Sequence, residues 1–258
     1  MLCPKCHMEQ EDRNLLCDYC GLVFAKHGTL DDSTPADAKI TVYAPATTAA
    51  GAWLRDRLFT PQPAGSPLAL GGRAALLLLL AAWGARLVSY SIESNGAGQS
   101  FLHLVNLPFH EAGHVFFIPF GDFVRTLGGT LGQLLMPMVC CLVLLLKTRD
   151  PFGAGVALWW FGENFLDIAP YIDDAGTGEL PLLGGNTGES TPYGFHDWEY
   201  LLTETNRLGR EHDMARTSHT IGTCIMVLAL AWMAYTLWRT HQAARAERDA
   251  GEFRSKAA

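Results

Sequence analysis

The chain has 258 residues, of which 49% are hydrophobic, and it carries a formal net charge of −7. This acidic balance argues against a nucleic-acid partner, and none is expected. The apolar residues are gathered into long uncharged runs. Such runs argue against a soluble domain, whose helices keep a polar face.

The first predicted element is a cysteine-rich head, residues 1–27. Its four cysteines follow the spacing C-x₂-C-x₁₀-C-x₂-C: Cys3, Cys6, Cys17 and Cys20. Two such pairs offer four thiolates to one tetrahedral Zn²⁺, and so small a segment has too few apolar residues to fold without metal. Two disulfides are the alternative, which a cytosolic N-terminus disfavours; we expect that location because no cleavable signal peptide opens the chain.

The two C-x₂-C pairs resemble the zinc-ribbon family over residues 1–25. The resemblance implies a small β-hairpin module with one structural zinc. Because a closed four-cysteine site leaves no open position for substrate, we expect a structural or interaction role, with a protein as the partner of the head.

Three further regions follow the head. Residues 28–72 are rich in Ala, Thr, Pro, Gly and Asp and are predicted to form a flexible linker. Residues 73–239 hold the apolar segments, and residues 240–258 form a charged C-terminal tail. The sequence therefore predicts one membrane domain between two polar ends.

Five apolar segments are candidate membrane helices. Residues 127–146 and 219–238 are the strongest, because each is uncharged and twenty helical residues rise about 30 Å, the thickness of the hydrocarbon core. Three weaker candidates carry a few polar groups: residues 74–92, 101–120 and 152–172. The predicted fold is a mainly α, polytopic membrane bundle with a small β zinc ribbon, and the protein is expected to be an integral membrane protein.

The arginines that flank the membrane domain predict that both chain ends are cytoplasmic. Five full spans would place the two ends on opposite sides. The conflict disappears if one segment is re-entrant, and residues 101–120, interrupted by Pro108 and Pro119, are the candidate. A long polar insertion, residues 173–218, would then face outward, and its segment HDWEYLL is predicted to form a short helix.

The segment NLPFHEAGHVFF, residues 106–117, places the motif H-E-x-x-H inside an apolar stretch. Because positions i and i+4 share one face of a helix, His110 and His114 can both direct a ring nitrogen at one Zn²⁺. Glu111 lies beside the first histidine and can act as general base toward water. Ionisable residues inside an apolar segment are costly and indicate function, so the motif predicts a catalytic zinc.

A catalytic zinc needs a third protein ligand and an open fourth position. The next polar run inside a span is FGENFLDIAPYIDDA, residues 161–175. With the H-E-x-x-H motif, the order Asn164, Pro170 and then Asp resembles the site-2 protease family of intramembrane metalloproteases over residues 101–175. The resemblance implies a three-helix core in which an Asp at the end of this run is the third ligand.

Several residues stay open as this ligand. Asp174 is favoured because a small residue follows it, although the family's Asp-Gly pair is Asp-Ala here, and Asp173 is the neighbouring alternative. Glu163 and Asp167 form the E-x-x-x-D element of thermolysin-like and CAAX-processing zinc proteases, in which the Glu ligates zinc. His196 could return to the site through the long insertion.

Asn164 is predicted to line the site and to hydrogen-bond the substrate backbone or its oxyanion; an interhelical hydrogen bond is the alternative. The function predicted from the sequence is that of a zinc endopeptidase that hydrolyses peptide bonds in or near membrane segments of a membrane protein substrate. The alternatives are a non-catalytic membrane protein that uses its zinc ribbon for interaction, a metal transporter or sensor, and a thermolysin- or CAAX-type membrane protease.

Overall fold

The structure is a computed structural model of the chain. It describes residues 49–60 and 66–257, and within the head it describes Leu2, Cys3, Lys5, Cys6, Met8, Glu9, Leu16, Cys17, Tyr19, Cys20, Leu22 and Phe24. The backbone alone is described for residues 49, 50, 52, 247, 250 and 251–257. The chain divides into two compact units, Met1–Ala49 and Ala50–Ala258.

The first unit contains the two cysteine pairs on similar turns. The amides of Cys3 and Cys17 each donate to a carbonyl five residues further on, at 3.0 and 2.8 Å. Leu2 and Glu9 form an isolated antiparallel bridge, and the described part of the head contains no strand. Cys3, Cys17 and Phe24 are buried together. The β-hairpin of a zinc ribbon stays a prediction, because many of its residues lie outside the described ones.

The rest of the described chain is mainly helical. Three short 3₁₀ turns, Ile92–Ser94, Ile118–Phe120 and Asp174–Gly176, follow α2, α3 and α5. The bounds of the α-helices are α1 Ala49–Phe59, α2 Pro67–Ser89, α3 Phe101–Phe116, α4 Asp122–Leu146, α5 Pro151–Asp173, α6 Asp197–Glu204 and α7 Glu211–Ala257. The segment HDWEYLL therefore forms a short helix, as predicted.

Capping residues set the start of two long helices. The hydroxyl of Ser66 accepts a hydrogen bond from the amide of Ala69 at 3.2 Å, and Pro67 takes the first helical position, where a missing N–H is tolerated. Asp150 caps α5 in the same way by accepting from the amide of Gly153 at 3.1 Å. Both helices begin where the sequence places a capping side chain before a proline.

Three described helices are long and apolar enough to cross a membrane: Pro67–Ser89, Asp122–Leu146 and Glu211–Ala246 within α7. They contain the two strongest predicted segments, and they are compatible with the predicted membrane protein. The range 28–72 that was predicted as linker contains α1 and the start of α2, because its Ala, Leu and Arg residues are strong helix formers. Residues 28–48 lie outside the described part.

α5 lies at the centre of the bundle. It packs against α7 and against α4, while α2 packs on α7 and α3 packs on α4. Glycines allow the α5–α7 contact, since a Cβ built at Gly162 would lie 2.9 Å from the carbonyl oxygen of Gly222. The apolar core between α2, α5 and α7 contains Leu80, Leu87, Trp159, Leu166, Met226 and Met233.

α3 differs from the long helices. Its 16 residues span about 24 Å, less than the roughly 30 Å of a hydrocarbon core. Its first turn reaches Asp167 near the end of α5 through His103, and its last turn reaches the backbone of Arg125 near the start of α4 through His114. A short connection joins the end of α4 to the start of α5, so the start of α4 and the end of α5 lie at the same end of the bundle. Both ends of α3 therefore contact this end.

Candidate metal centre

Two histidines of α3 and the first residue of α6 meet at this end of the bundle. One nitrogen of His110, one of His114 and a carboxylate oxygen of Asp197 all lie within 4.8 Å of one another. The Nε2 atoms of His110 and His114 are 2.9 and 3.2 Å from Oδ2 of Asp197. Tetrahedral zinc with ligands at about 2.0–2.1 Å separates them by about 3.3 Å. The three side chains could therefore hold a metal ion, and we call them the candidate metal centre.

The other ring nitrogens of the two histidines already have acceptors. Nδ1 of His114 lies 2.9 Å from the carbonyl oxygen of Arg125, which can only accept, so Nδ1 carries the hydrogen. Nδ1 of His110 lies 2.7 Å from Oε1 of the buried Gln133. With Nδ1 carrying a hydrogen, each Nε2 that faces Asp197 donates to it when the ring is protonated and offers a lone pair to a metal ion when the ring is neutral. Metal-binding histidines are oriented in the same way, by donating their second nitrogen to a protein acceptor.

Gly129 of α4 provides the surface against which the two rings lie. A Cβ built at Gly129 would lie 2.4 Å from Nε2 of His110 and 2.5 Å from Nε2 of His114, so a side chain there would occupy the space of the donors. A Cβ at Gly113 would likewise lie 2.0 Å from the carbonyl oxygen of Gly128. The glycines of α3 and α4 therefore bring the two backbones into contact and place the rings.

Asp197 is a buried carboxylate held in place by its neighbours. Burial raises the pKa of Asp197, but hydrogen bonds from His110 and His114 outweigh burial and hold the pKa below its usual value. The carboxylate is therefore ionised at neutral pH. The amide of Asp197 donates to the hydroxyl oxygen of Tyr171 at 3.0 Å, so the end of α5 fixes the start of α6.

The candidate metal centre lies in the wall of a cavity of about 970 Å³. Glu111 lines the same cavity, but its carboxylate is not part of the three-donor cluster found among the described residues. Much of the remaining wall is apolar and includes Leu180, Leu182 and Leu183 of the insertion. A concave, mostly apolar wall with a few convergent polar groups is typical of a binding site.

The predicted third ligands lie elsewhere. Instead of Asp174 or Asp173, the structure brings Asp197 to the histidine pair. The carboxylate of Asp174 accepts from the amides of Glu179 and Leu180, at 2.8 and 3.0 Å. Asp174 therefore folds the start of the insertion back onto the end of α5, and it is not part of the cluster with His110 and His114.

Asp173 and His196 also have other partners. Oδ1 of Asp173 lies 2.6 Å from Nδ1 of His212, an exposed histidine. Nδ1 of His196 accepts from the amide of Glu199 at 3.1 Å and so caps α6. Burial lowers the pKa of His196 although Asp174 raises it, so the ring is neutral. The structure gives His196 a capping role beside Asp197.

The E-x-x-x-D element of α5 and Asn164 do not meet the histidine pair. Glu163 and Asp167 both accept from the amide nitrogen of Asn106, at 3.1 and 3.0 Å. Asn164 is fully buried and donates to the carbonyl oxygen of Trp160 in its own helix, at 3.0 Å. Among the described residues that line the cavity, Asp167 is present and Asn164 is not.

The sequence alone does not identify Asp197 as a candidate ligand. Its residue type is ordinary at the first position of a helix, where the helix dipole favours negative charge, so nothing local marks it as a ligand. The available signal was its position beside His196 at the start of the predicted short helix. The acceptor role of Gln133 was missed for the same reason, because it depends on contact between two helices.

The four cysteines of the head form a second cluster. The Sγ atoms of Cys3 and Cys20 are 3.6 Å apart, those of Cys6 and Cys17 are 3.5 Å apart, and all four lie within 4.8 Å of one another. A disulfide needs about 2.05 Å, whereas four thiolates at about 2.3 Å from one zinc are about 3.8 Å apart. The cysteine cluster could therefore hold a metal ion.

Comparison with known proteins assigns no family: no family model, no curated protein and no solved structure matches the chain. The fold and the two clusters therefore define its class. It is a mainly helical protein with three helices of membrane length and two groups of side chains that could each hold a metal ion.

Proposed function

We propose that the protein is an integral membrane zinc metallopeptidase that hydrolyses peptide bonds in or near membrane segments of a protein substrate. The observation that carries the proposal is the cluster of His110, His114 and Asp197, with both Nδ1 atoms already bonded to protein acceptors. Two neutral imidazoles and one carboxylate are a ligand set of catalytic zinc, and they leave the fourth position open.

Glu111 is the general base of the proposed reaction. It lines the cavity beside the ligands without being one, so its carboxylate is free to take a proton from water and to return it to the leaving amine. A Zn²⁺ held by His110, His114 and Asp197 would supply Lewis acidity toward the peptide carbonyl and toward water. Gln133 and the carbonyl of Arg125 keep the two rings oriented.

The position of the cavity supports a substrate that comes from the membrane. The cavity lies where α4 begins and α5 ends, beside helices of membrane length, and the polar insertion forms part of its rim. Water can enter the cavity from the side of the insertion, and a peptide can pack against the leucine side chains of the cavity wall. In the same proposal, the four-cysteine head holds a structural zinc and binds a protein partner.

The test is Glu111→Gln in the full-length protein. The variant is expected to keep its zinc and to lose cleavage by about 10²–10⁴-fold, the usual contribution of a general base. New N-termini of membrane proteins, counted by mass spectrometry in cells that express each variant, measure cleavage; metal analysis of the purified protein measures zinc.

Glu204→Gln is the matched control, since it removes an exposed carboxylate that bonds the hydroxyl of Tyr193 outside the cavity. It should leave cleavage unchanged. Undiminished cleavage with Glu111→Gln would refute the peptidase and favour the non-catalytic alternative.

A further inference from the structure

A second polar cluster lies two helical turns before the candidate metal centre and reaches the same cavity through His103 and Asp167. His103 and Asn106 of α3 and Trp160, Glu163 and Asp167 of α5 form it. Burying two carboxyl groups inside an apolar bundle is costly and indicates a function. The proposed reaction uses none of these five residues.

The hydrogen-bond directions within this cluster are determined. The indole nitrogen of Trp160 can only donate, so the atom of Asn106 that it meets at 2.8 Å is the amide oxygen. The amide nitrogen of Asn106 then donates to both Glu163 and Asp167. Since Asn106 is 1% exposed, this amide is a buried bridge that fixes the carboxylate of Asp167.

Asp167 in turn orients the ring of His103. Nδ1 of His103 lies 2.9 Å from Oδ1 of Asp167, and an ionised carboxylate only accepts, so Nδ1 carries a hydrogen. The side chain of His103 is 40% exposed while that of Asp167 is 3% exposed, and both line the cavity. Nε2 of His103 has no hydrogen-bond partner among the described residues. The polar edge that the cluster presents to the cavity is therefore the Nε2 side of His103.

The spacing along α3 determines how far His103 lies from the candidate metal centre. It precedes His110 by seven residues, so the two lie on one face about 10.5 Å apart along the helix axis. An extended chain advances about 3.3 Å per residue. A substrate that lies extended along α3, with its cleaved bond at His110 and His114, thus places its third residue from that bond beside His103. At this distance His103 does not touch the reacting atoms.

The surroundings of His103 favour an acidic group. His103 lies in the first turn of α3, where the helix dipole favours negative charge. The carboxylate of Asp167 stabilises a second hydrogen on the ring, and Nε2 of the protonated ring then donates a hydrogen bond. The group that fits this edge is a hydrogen-bond acceptor with negative charge, namely a carboxylate.

We propose that His103 is a recognition residue that binds an acidic side chain of the substrate, three residues from the cleaved bond. This inference rests on the proposed peptidase function. Asp167 and Asn106 act through His103 and are positioning residues.

The test measures binding, which needs no cleavage. Full-length, zinc-loaded protein in nanodiscs is titrated with pairs of peptide hydroxamates, since a hydroxamate binds zinc directly. Within a pair, the third residue from the hydroxamate is Glu in one peptide and Gln in the other. One series carries the hydroxamate at the C-terminus and one at the N-terminus, so that both chain directions are sampled.

The wild-type protein is expected to bind the Glu peptide of one series about tenfold more tightly, the usual value of one charged hydrogen bond. His103→Leu is expected to remove this preference, and Asp167→Asn to reduce it. His212→Leu is the matched control, because it removes a histidine that pairs with Asp173 outside the cavity, and it should keep the preference.

The outcomes distinguish failure of the recognition site from failure of the peptidase proposal. Equal binding of Glu and Gln peptides by the wild type, or a preference that survives His103→Leu, would overturn the recognition site. If His103→Leu fails to fold, His103→Gln replaces it in the titration. A preference for the Glu peptide that is preserved in both His103→Gln and Asp167→Asn would also overturn the recognition site. A binding preference without any cleavage in cells refutes the peptidase alone, cleavage without a preference refutes the recognition site alone, and failure of every hydroxamate to bind contradicts both.

Discussion

Three aspartates, two at the end of α5 and one at the start of α6, have different partners in the fold. Oδ2 of Asp197 meets the Nε2 atoms of His110 and His114, whereas Asp173 meets an exposed histidine. The carboxylate of Asp174 accepts from two backbone amides and a threonine hydroxyl, so few of its lone pairs remain for a metal. Asp197 is therefore the carboxylate that can complete the candidate metal centre.

Replacing Asp197 should remove zinc from the candidate metal centre and leave the cysteine cluster occupied. With Asp197→Ala, the zinc content of the full-length protein is expected to fall from about two ions per chain to about one, because the cysteine head keeps its ion. Asp173→Ala is the matched control and should keep about two. Metal analysis of purified protein by mass spectrometry measures both, and loss of an ion with Asp173→Ala alone would contradict the assignment.

The difference between the histidines and Asp197 shows what the sequence can predict at the scale of residues. His110 and His114 lie on one helix, and the period of 3.6 residues fixes their relation. Asp197 lies 87 residues after His110, at the far end of an insertion. Its position depends on contacts of Asp174 and Tyr171 that no local pattern encodes. The pair was therefore predictable, while the choice among several carboxylates was not.

At the scale of elements, the contact between α3 and α4 makes the site. Gly129 lies under both rings, so Gly129→Ala is expected to displace them, to lower zinc affinity and to destabilise the protein by about 1–3 kcal/mol, as overpacking does. Gly71→Ala on α2 is the control, since a Cβ there meets nothing within 4 Å. Zinc content and thermal unfolding in one detergent measure both variants. Full zinc binding with Gly129→Ala would contradict the position of the rings.

Elements were predicted with unequal success, and their chemistry explains why. The long uncharged runs within α4 and α7 can be predicted from composition alone. The short α1 was missed because the range around it is rich in Pro, Gly and Thr, and composition averaged over the range hides one helical segment. The early end of α3 at Phe116 follows from the turn Ile118–Phe120, which the sequence marks with Pro119.

At the scale of the whole molecule, basic side chains flank the connection between α4 and α5. Arg57 donates to the carbonyl oxygen of Leu146 at 2.9 Å, and Arg73 lies 3.8 Å from Asp150, so both flank the α4–α5 connection. The candidate metal centre lies at the other end. By the positive-inside rule, we expect the basic end to face the cytoplasm and the metal centre to face the opposite side, with α3 as a re-entrant helix.

Labelling of introduced cysteines, measured above the background of the four head cysteines, tests this orientation. In a variant whose Cys140, Cys141 and Cys224 are replaced by Ala, Leu183→Cys should react with a membrane-impermeant maleimide in intact cells, because Leu183 is exposed in the insertion. Arg149→Cys, in the α4–α5 connection, should react only after the cells are permeabilised. The reverse pattern would contradict the orientation, and labelling of both in intact cells would show that the insertion and the connection share one side.

The central claim is that His110, His114 and Asp197 bind one zinc ion, and anomalous diffraction at the zinc edge on crystals of the full-length protein tests it most directly. The expected result is an anomalous peak about 2.0–2.2 Å from Nε2 of each histidine and from a carboxylate oxygen of Asp197. A peak ligated by Glu163 or Asp174 in place of Asp197, or zinc-loaded crystals with a peak at the four cysteines alone, would contradict it.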